Sequence, residues 1–298
     1  MRRRASWPEW NSEALTGSVL MGRAQPSLVT PAWLESRLGD DGVRVFEVDA
    51  EWSDAYAAGH LPNAVGGEWK QVCWDARTRE FPDAVEFARR MGALGVRNDT
   101  TIVVYGDPMP FGYYAWWAFR YCGHADVRIL DGGSARWVAE GRQLVTAVPQ
   151  FAPVEYRPSK RVESMRVMRD DVRAAIGRPG CVFLDGRSGQ EYRGERVNMP
   201  DKPDHGAERA GRIPGARHLD AHGLLRDDGT LLAAPELEAL FDARGVSRDA
   251  DVICYCRRAH RAAVTYFALT EVLGYTRVRA YDGSWTEWGS LVGVPIEH

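Results

Sequence analysis

The residues best placed to do chemistry lie near the C-terminus, in "DVICYCRRAHRAAVTYFALTEVLGY", residues 251–275. Cys254 and Cys256 are one residue apart, and Cys256 runs directly into Arg257, Arg258, Ala259, His260 and Arg261. The segment reads as a Val/Ile-rich strand that ends where a helical pattern begins. Cys256 is therefore expected on a tight loop at a helix N-terminus. Such an end has unpaired backbone N–H groups and the positive end of the helix dipole. It binds anions and favours the thiolate over the thiol. Three arginines, and His260 if protonated, strengthen that expectation. Cys254 lies inside the apolar strand and reads as core, as do Cys73, Cys122 and Cys181.

The elements that must hold this loop come from alternating patterns. Short apolar runs stand at "VRVFEVD" (43–49), "TIVVYG" (101–106), "VRIL" (127–130), "CVFLD" (181–185), "DVICYC" (251–256) and "VRAY" (278–281). Helical patterns separate them at 112–122, 235–244 and 260–273. Buried apolar strands alternating with helices imply α/β architecture, with mostly parallel sheets covered by helices on both faces.

The chain also repeats itself. "TIVVYGDPMPFGYYAWWAF" (101–119) aligns with "DVICYCRRAHRAAVTYFAL" (251–269), placing Gly106 opposite Cys256. "LDGGSARW" (130–137) parallels "YDGSWTEW" (281–288), "GHLPNA" (59–64) parallels "GRIPGA" (211–216), and Asp49 aligns with Asp185. A repeat this long implies two homologous domains. We expect them at 27–147 and 163–298, joined by a proline-bearing linker at 148–162 and preceded by a disordered tail at 1–26. Only the second half carries a thiol at the loop position, so the first is expected to be inactive.

Composition narrows the class. The 298 residues carry a net charge of −3, which argues against a global field for nucleic acid or membrane surface. The longest apolar runs fall short of a membrane span. The five cysteines are odd in number and irregularly spaced, as in a reduced cytoplasmic protein. His218 and His222, four apart, could share a helix face, but no third ligand stands near them, so no metal is expected.

These motifs resemble those of tandem-domain rhodaneses, the thiosulfate sulfurtransferases, over residues 27 to 298. "VRAYDGSWTEW" (278–288) fits the family's C-terminal signature. "YAAGHLPNA" (56–64) resembles the N-terminal one, with Asn63 where glycine is usual. "LDGRSGQEYRGE" (184–195) followed by "GRIPGA" resembles the start of a catalytic domain, with Arg212 where histidine is usual. The resemblance implies two rhodanese-like domains and catalysis by Cys256 without a cofactor. It also implies a substrate loop at Arg257, Arg258, Ala259, His260 and Arg261. Asp185, Arg187 and Glu191 are then supporting residues, with Glu191 a partner for Arg261. Related phosphatases have one more residue between cysteine and arginine than the four here; the resemblance implies that the shorter loop is the sulfur-transfer size. The implied partners are thiosulfate as donor and cyanide, a thiol or a sulfur-acceptor protein as acceptor. A 3-mercaptopyruvate donor, a dedicated biosynthetic sulfur donor and a non-catalytic persulfide- or anion-sensing module remain as alternatives.

Overall fold

The computed structural model describes residues 26–298, so the expected N-terminal tail lies almost wholly outside the described residues. Among the described residues, nine strands form two sheets. The first contains β1 (Leu28–Val29), β2 (Val43–Asp49), β3 (Ala64–Glu68), β4 (Thr101–Tyr105) and β5 (Val127–Leu130), in the order β1-β5-β4-β2-β3. The second contains β6 (Cys181–Asp185), β7 (Arg217–His218), β8 (Asp251–Tyr255) and β9 (Val278–Ala280), in the order β7-β6-β8-β9. Every strand pair within the two sheets is parallel. The mostly apolar central strands follow from burial on both faces.

The strand ends agree with the apolar runs to within a residue, but β3 carried no such signal. Its sequence, AVGGE, holds two glycines, which weaken a strand. Gly66 is required there nonetheless, because a Cβ would lie 2.1 Å from the ring of Tyr56.

Sheet register corrects one alignment made from sequence. Glu47 pairs with Tyr105 in the first sheet, and Asp185 pairs with Tyr255 in the second. Each tyrosine hydroxyl donates to its partner carboxylate. Each also accepts a backbone N–H, from Leu61 and Ile213 respectively. The counterpart of Asp185 is therefore Glu47, not Asp49. The apolar run of β2 is two residues longer than that of β6, which misled the alignment. The "GHLPNA" and "GRIPGA" segments do correspond: Tyr56 and Tyr192 donate to the carbonyls of Ala64 and Ala216. His60 stacks on Tyr56, and the Arg212 guanidinium takes that place over Tyr192.

Two helices join the halves. Met109–Tyr121 follows β4, and His260–Phe267 follows β8 and runs on into a π-helical turn, Ala268–Val272. They pack against each other through Tyr113, Trp116 and Phe267, with ring centroids 5.3 and 4.8 Å apart. The first is apolar around its whole circumference because it is buried on every side. One hydrophobic cluster consequently spans both halves. The loop ahead of the second helix is thereby held against the first domain.

Candidate active site

Cys256 follows β8 at the point where the strand hands over to helix His260–Phe267, and it is 1% exposed. Residues 284–286 clamp its backbone. The Cys256 N–H donates to Ser284 Oγ at 3.2 Å, and the Trp285 N–H donates to the Cys256 carbonyl at 2.9 Å. The Thr286 N–H and hydroxyl both donate to the Arg257 carbonyl. Ser284 holds φ +53° and Ala259 φ +69°, conformations that cost an L-residue energy and are kept only where the surroundings impose them. The turn at Ala259 leaves the backbone N–H groups of Arg257 to Arg261 without a protein acceptor among the described residues. An anion held there meets donors that need no reorganisation.

The loop side chains go to different places. Arg261 is buried and donates from Nη1 and Nη2 to the two carboxylate oxygens of Glu191, at 2.7 and 2.8 Å. Burial works against both charges, yet the pairing dominates: Arg261 is raised and Glu191 lowered from their ordinary values. Glu191 also accepts from the Ser188 N–H and hydroxyl, which seats its short helix, Gly189–Tyr192. Arg258 reaches the first domain, where Glu51 accepts from Nη1 and Nη2, both at 3.2 Å. Arg257 donates to the His205 carbonyl at 2.8 Å. It has no carboxylate partner among the described residues, and its buried Nε has no acceptor.

His260 departs from its expected role as an added positive charge. Its ring is buried among Trp69, Phe111 and Tyr114, at centroid distances of 4.3, 4.2 and 4.7 Å. Desolvation, with the nearby Arg258, holds its pKa well below the usual histidine range, so the ring is neutral. It is a wedge between the loop and the first domain.

Behind the loop, Asp185 and Arg187 form a fully buried pair at 2.6 Å. Asp185 accepts from Tyr255, and Arg187 donates to the Gly211 carbonyl and lies over Trp285 at 4.3 Å. The pair ties the ends of β6 and β8 to the segment that clamps Cys256. His218 and His222 do not share a helix face: one ends β7, bonded to the Arg187 carbonyl, and the other lies in a short 3-10 turn against Asp220. No cluster that could hold a metal occurs among the described residues.

Sequence reasoning missed several residues here. Ser284 and Thr286 carry no chemical signature, and their role follows from the fold of the segment after β9. Glu51 and Trp69 lie far away in sequence and reach the loop only through domain packing. The stretch 193–210 replaces residues 57–58 of the first half, and its His205 carbonyl caps Arg257.

The first domain has no room for a second such site. At Gly106, the counterpart of Cys256, a Cβ would lie 2.2 Å from the Val48 carbonyl oxygen and 2.6 Å from the Gly112 nitrogen.

Comparison with known proteins agrees with this duplicated architecture. The Rhodanese-like domain profile matches twice, at residues 30–140 and 168–291. The chain belongs to the rhodanese family. Among rhodanese relatives, the sulfur carrier protein TtuD of Thermus thermophilus is 47% identical over 283 residues, covering 93% of this chain and 98% of that protein. A Mycobacterium tuberculosis relative, provisionally named thiosulfate sulfurtransferase SseA, is 40% identical over 281 residues, covering 93% of each. Among solved structures, the anaerobic ergothioneine biosynthesis enzyme of Chlorobium limicola superposes with a TM-score of 0.80 at 23% identity. That match spans 91% of this chain and 70% of the other, and shows a shared rhodanese fold. The relatives' names support sulfurtransferase activity for this chain. No helix among the described residues is long and apolar enough to cross a membrane.

Proposed function

We propose that the protein transfers sulfane sulfur from thiosulfate to a thiol or cyanide acceptor through a persulfide on Cys256. The observation that carries this reading is the pocket of unpaired N–H groups, Arg257 to Arg261, around the loop that begins at Cys256. The Cys256 thiolate attacks the outer sulfur of thiosulfate. A Cys256 sulfur–sulfur bond forms, the sulfur–sulfur bond of thiosulfate breaks, and its electron pair leaves with sulfite. The outer persulfide sulfur then rests against the loop N–H groups. Attack on it by the acceptor thiolate or cyanide releases the Cys256 thiolate, completing a ping-pong cycle. The Asp185–Arg187 and Glu191–Arg261 pairs hold the loop in shape. Two modified forms of this reading keep the persulfide and change its partners. 3-Mercaptopyruvate would serve as the donor in one. In the other, the acceptor is a protein in a biosynthetic pathway, a form favoured by the sulfur-carrier name of the Thermus relative.

Mass spectrometry of the protein after incubation with thiosulfate tests the proposal. The expected result is the gain of one sulfur atom on Cys256, removed by cyanide as thiocyanate. An unmodified Cys256 under turnover, or sulfur on another cysteine, would overturn it. Steady-state comparison of thiosulfate with 3-mercaptopyruvate decides the donor.

A further inference from the structure

We propose that Glu51, in the domain whose loop carries Gly106 in place of the cysteine, is a specificity-determining residue that sets which donor charge the loop accepts by taking up the positive charge of Arg258. The inference rests on the sulfur transfer at Cys256 proposed above.

Glu51 lies just beyond β2 and gathers donors from both halves of the chain. Trp69 Nε1 donates at 2.7 Å, Lys70 Nζ at 3.2 Å, and Arg258 through Nη1 and Nη2 at 3.2 Å each. The Arg258 guanidinium also lies over the Trp69 ring, 5.3 Å from its centroid. That indole is fully buried and meets the His260 ring at a right angle. Partial burial disfavours the Glu51 carboxylate, but Trp69, a backbone N–H, Arg258 and Lys70 outweigh it and hold the pKa at about 2. Glu51 is therefore ionised whenever the enzyme works.

Two of the three loop arginines then have a carboxylate partner, although Lys70 shares Glu51 with Arg258. Arg261 is matched by Glu191 and Arg258 by Glu51, and His260 is neutral. Arg257 remains as the loop arginine without a carboxylate partner among the described residues. A donor thus meets the N–H groups and one uncompensated guanidinium rather than the three that the sequence displays. A dianion gains more than a monoanion from each extra cation, so Glu51 penalises the dianion most.

Glu51→Gln removes the charge and keeps an oxygen for the Trp69 N–H. Both partners are partly exposed, so one charge at this rim is worth about a two- to fivefold change for a dianion over a monoanion, shrinking with added salt. We expect the thiosulfate to 3-mercaptopyruvate ratio of kcat/KM to rise by that factor in Glu51→Gln and to stay near wild type in Glu51→Asp. An unchanged ratio, or an equal fall for both donors, would show Glu51 to be scaffolding only and overturn the proposal. Calorimetric titration of sulfate into Cys256→Ser, with and without Glu51→Gln, reads the same effect without turnover. Binding tighter by at least that factor is expected, because both charges of the dianion count, and equal affinity overturns the proposal. If the wild type moves no sulfur from either donor, the reaction assigned above fails, while the sulfate titration still decides the role of Glu51.

Discussion

Arg261 and Glu191, 70 residues apart, face each other through two hydrogen bonds of 2.7 and 2.8 Å in a setting from which water is excluded. The pair fixes the first turn of the loop helix to the helix after β6. Both charges lost hydration on burial, so the pair is worth little against an apolar substitute, but breaking it strands a charge.

Glu191→Gln should therefore destabilise the protein by about 3–5 kcal/mol, measured by denaturant unfolding. Glu191 has a lowered folded pKa, so its stabilisation is present above the ordinary glutamate range and is lost as pH falls through the folded value. The wild-type stability advantage over Glu191→Gln should shrink below about pH 4.3, the unperturbed value.

Cys256→Ser should abolish sulfur transfer, whereas Cys254→Ser should keep most of it per folded molecule. Cys254 is fully buried in β8, and burial pushes its thiol far above the ordinary range, so it is no nucleophile. Its replacement buries a hydroxyl and should cost about 1–3 kcal/mol in stability. A cyanide-acceptor assay with matched circular dichroism spectra separates the two effects. Equal loss of activity in two folded variants would refute the assignment.

His260 should make the protein acid-sensitive in a range distinct from Glu191. Its folded pKa is lowered, so the unfolded chain binds the proton more readily. Its contribution is whole above about pH 6.5, the unperturbed value, and declines as pH falls toward the folded pKa. His124, also buried and lowered, adds to the same slope. Glu47 and Asp49, raised by burial to about 8 and about 6, act in the opposite sense. The informative quantity is thus a difference: His260→Phe should lose less Tm than wild type between pH 7 and pH 5. Parallel Tm curves would sink the claim.

Copying the thiol into the first half should fail. Gly106→Cys drives Cβ against the Val48 carbonyl, and overpacking of this kind costs about 1–3 kcal/mol or more. The variant should be less stable and acquire no second persulfide, as read by chemical denaturation and mass spectrometry. A stable protein carrying sulfur on two loops would refute this.

Much of this protein was legible in its sequence because the controlling interactions are local. Strand cores such as VRIL and CVFLD declare themselves by unbroken apolar character, and the cationic run after Cys256 marks the loop by its composition. The duplication showed through residues that recur in the same order, and Gly106 opposite Cys256 already distinguished the two halves. Tertiary structure alone decided what the charges do. Nothing local pairs Arg258 with Glu51 across 207 residues, or places His260 in an aromatic setting built by the other domain. The same holds for register, where hydrogen bonding from Tyr105 and Tyr255 matches Asp185 to Glu47 although the strand sequences suggest Asp49. Composition can count arginines, but desolvation and pairing set how much charge they present, and both depend on how the two domains pack.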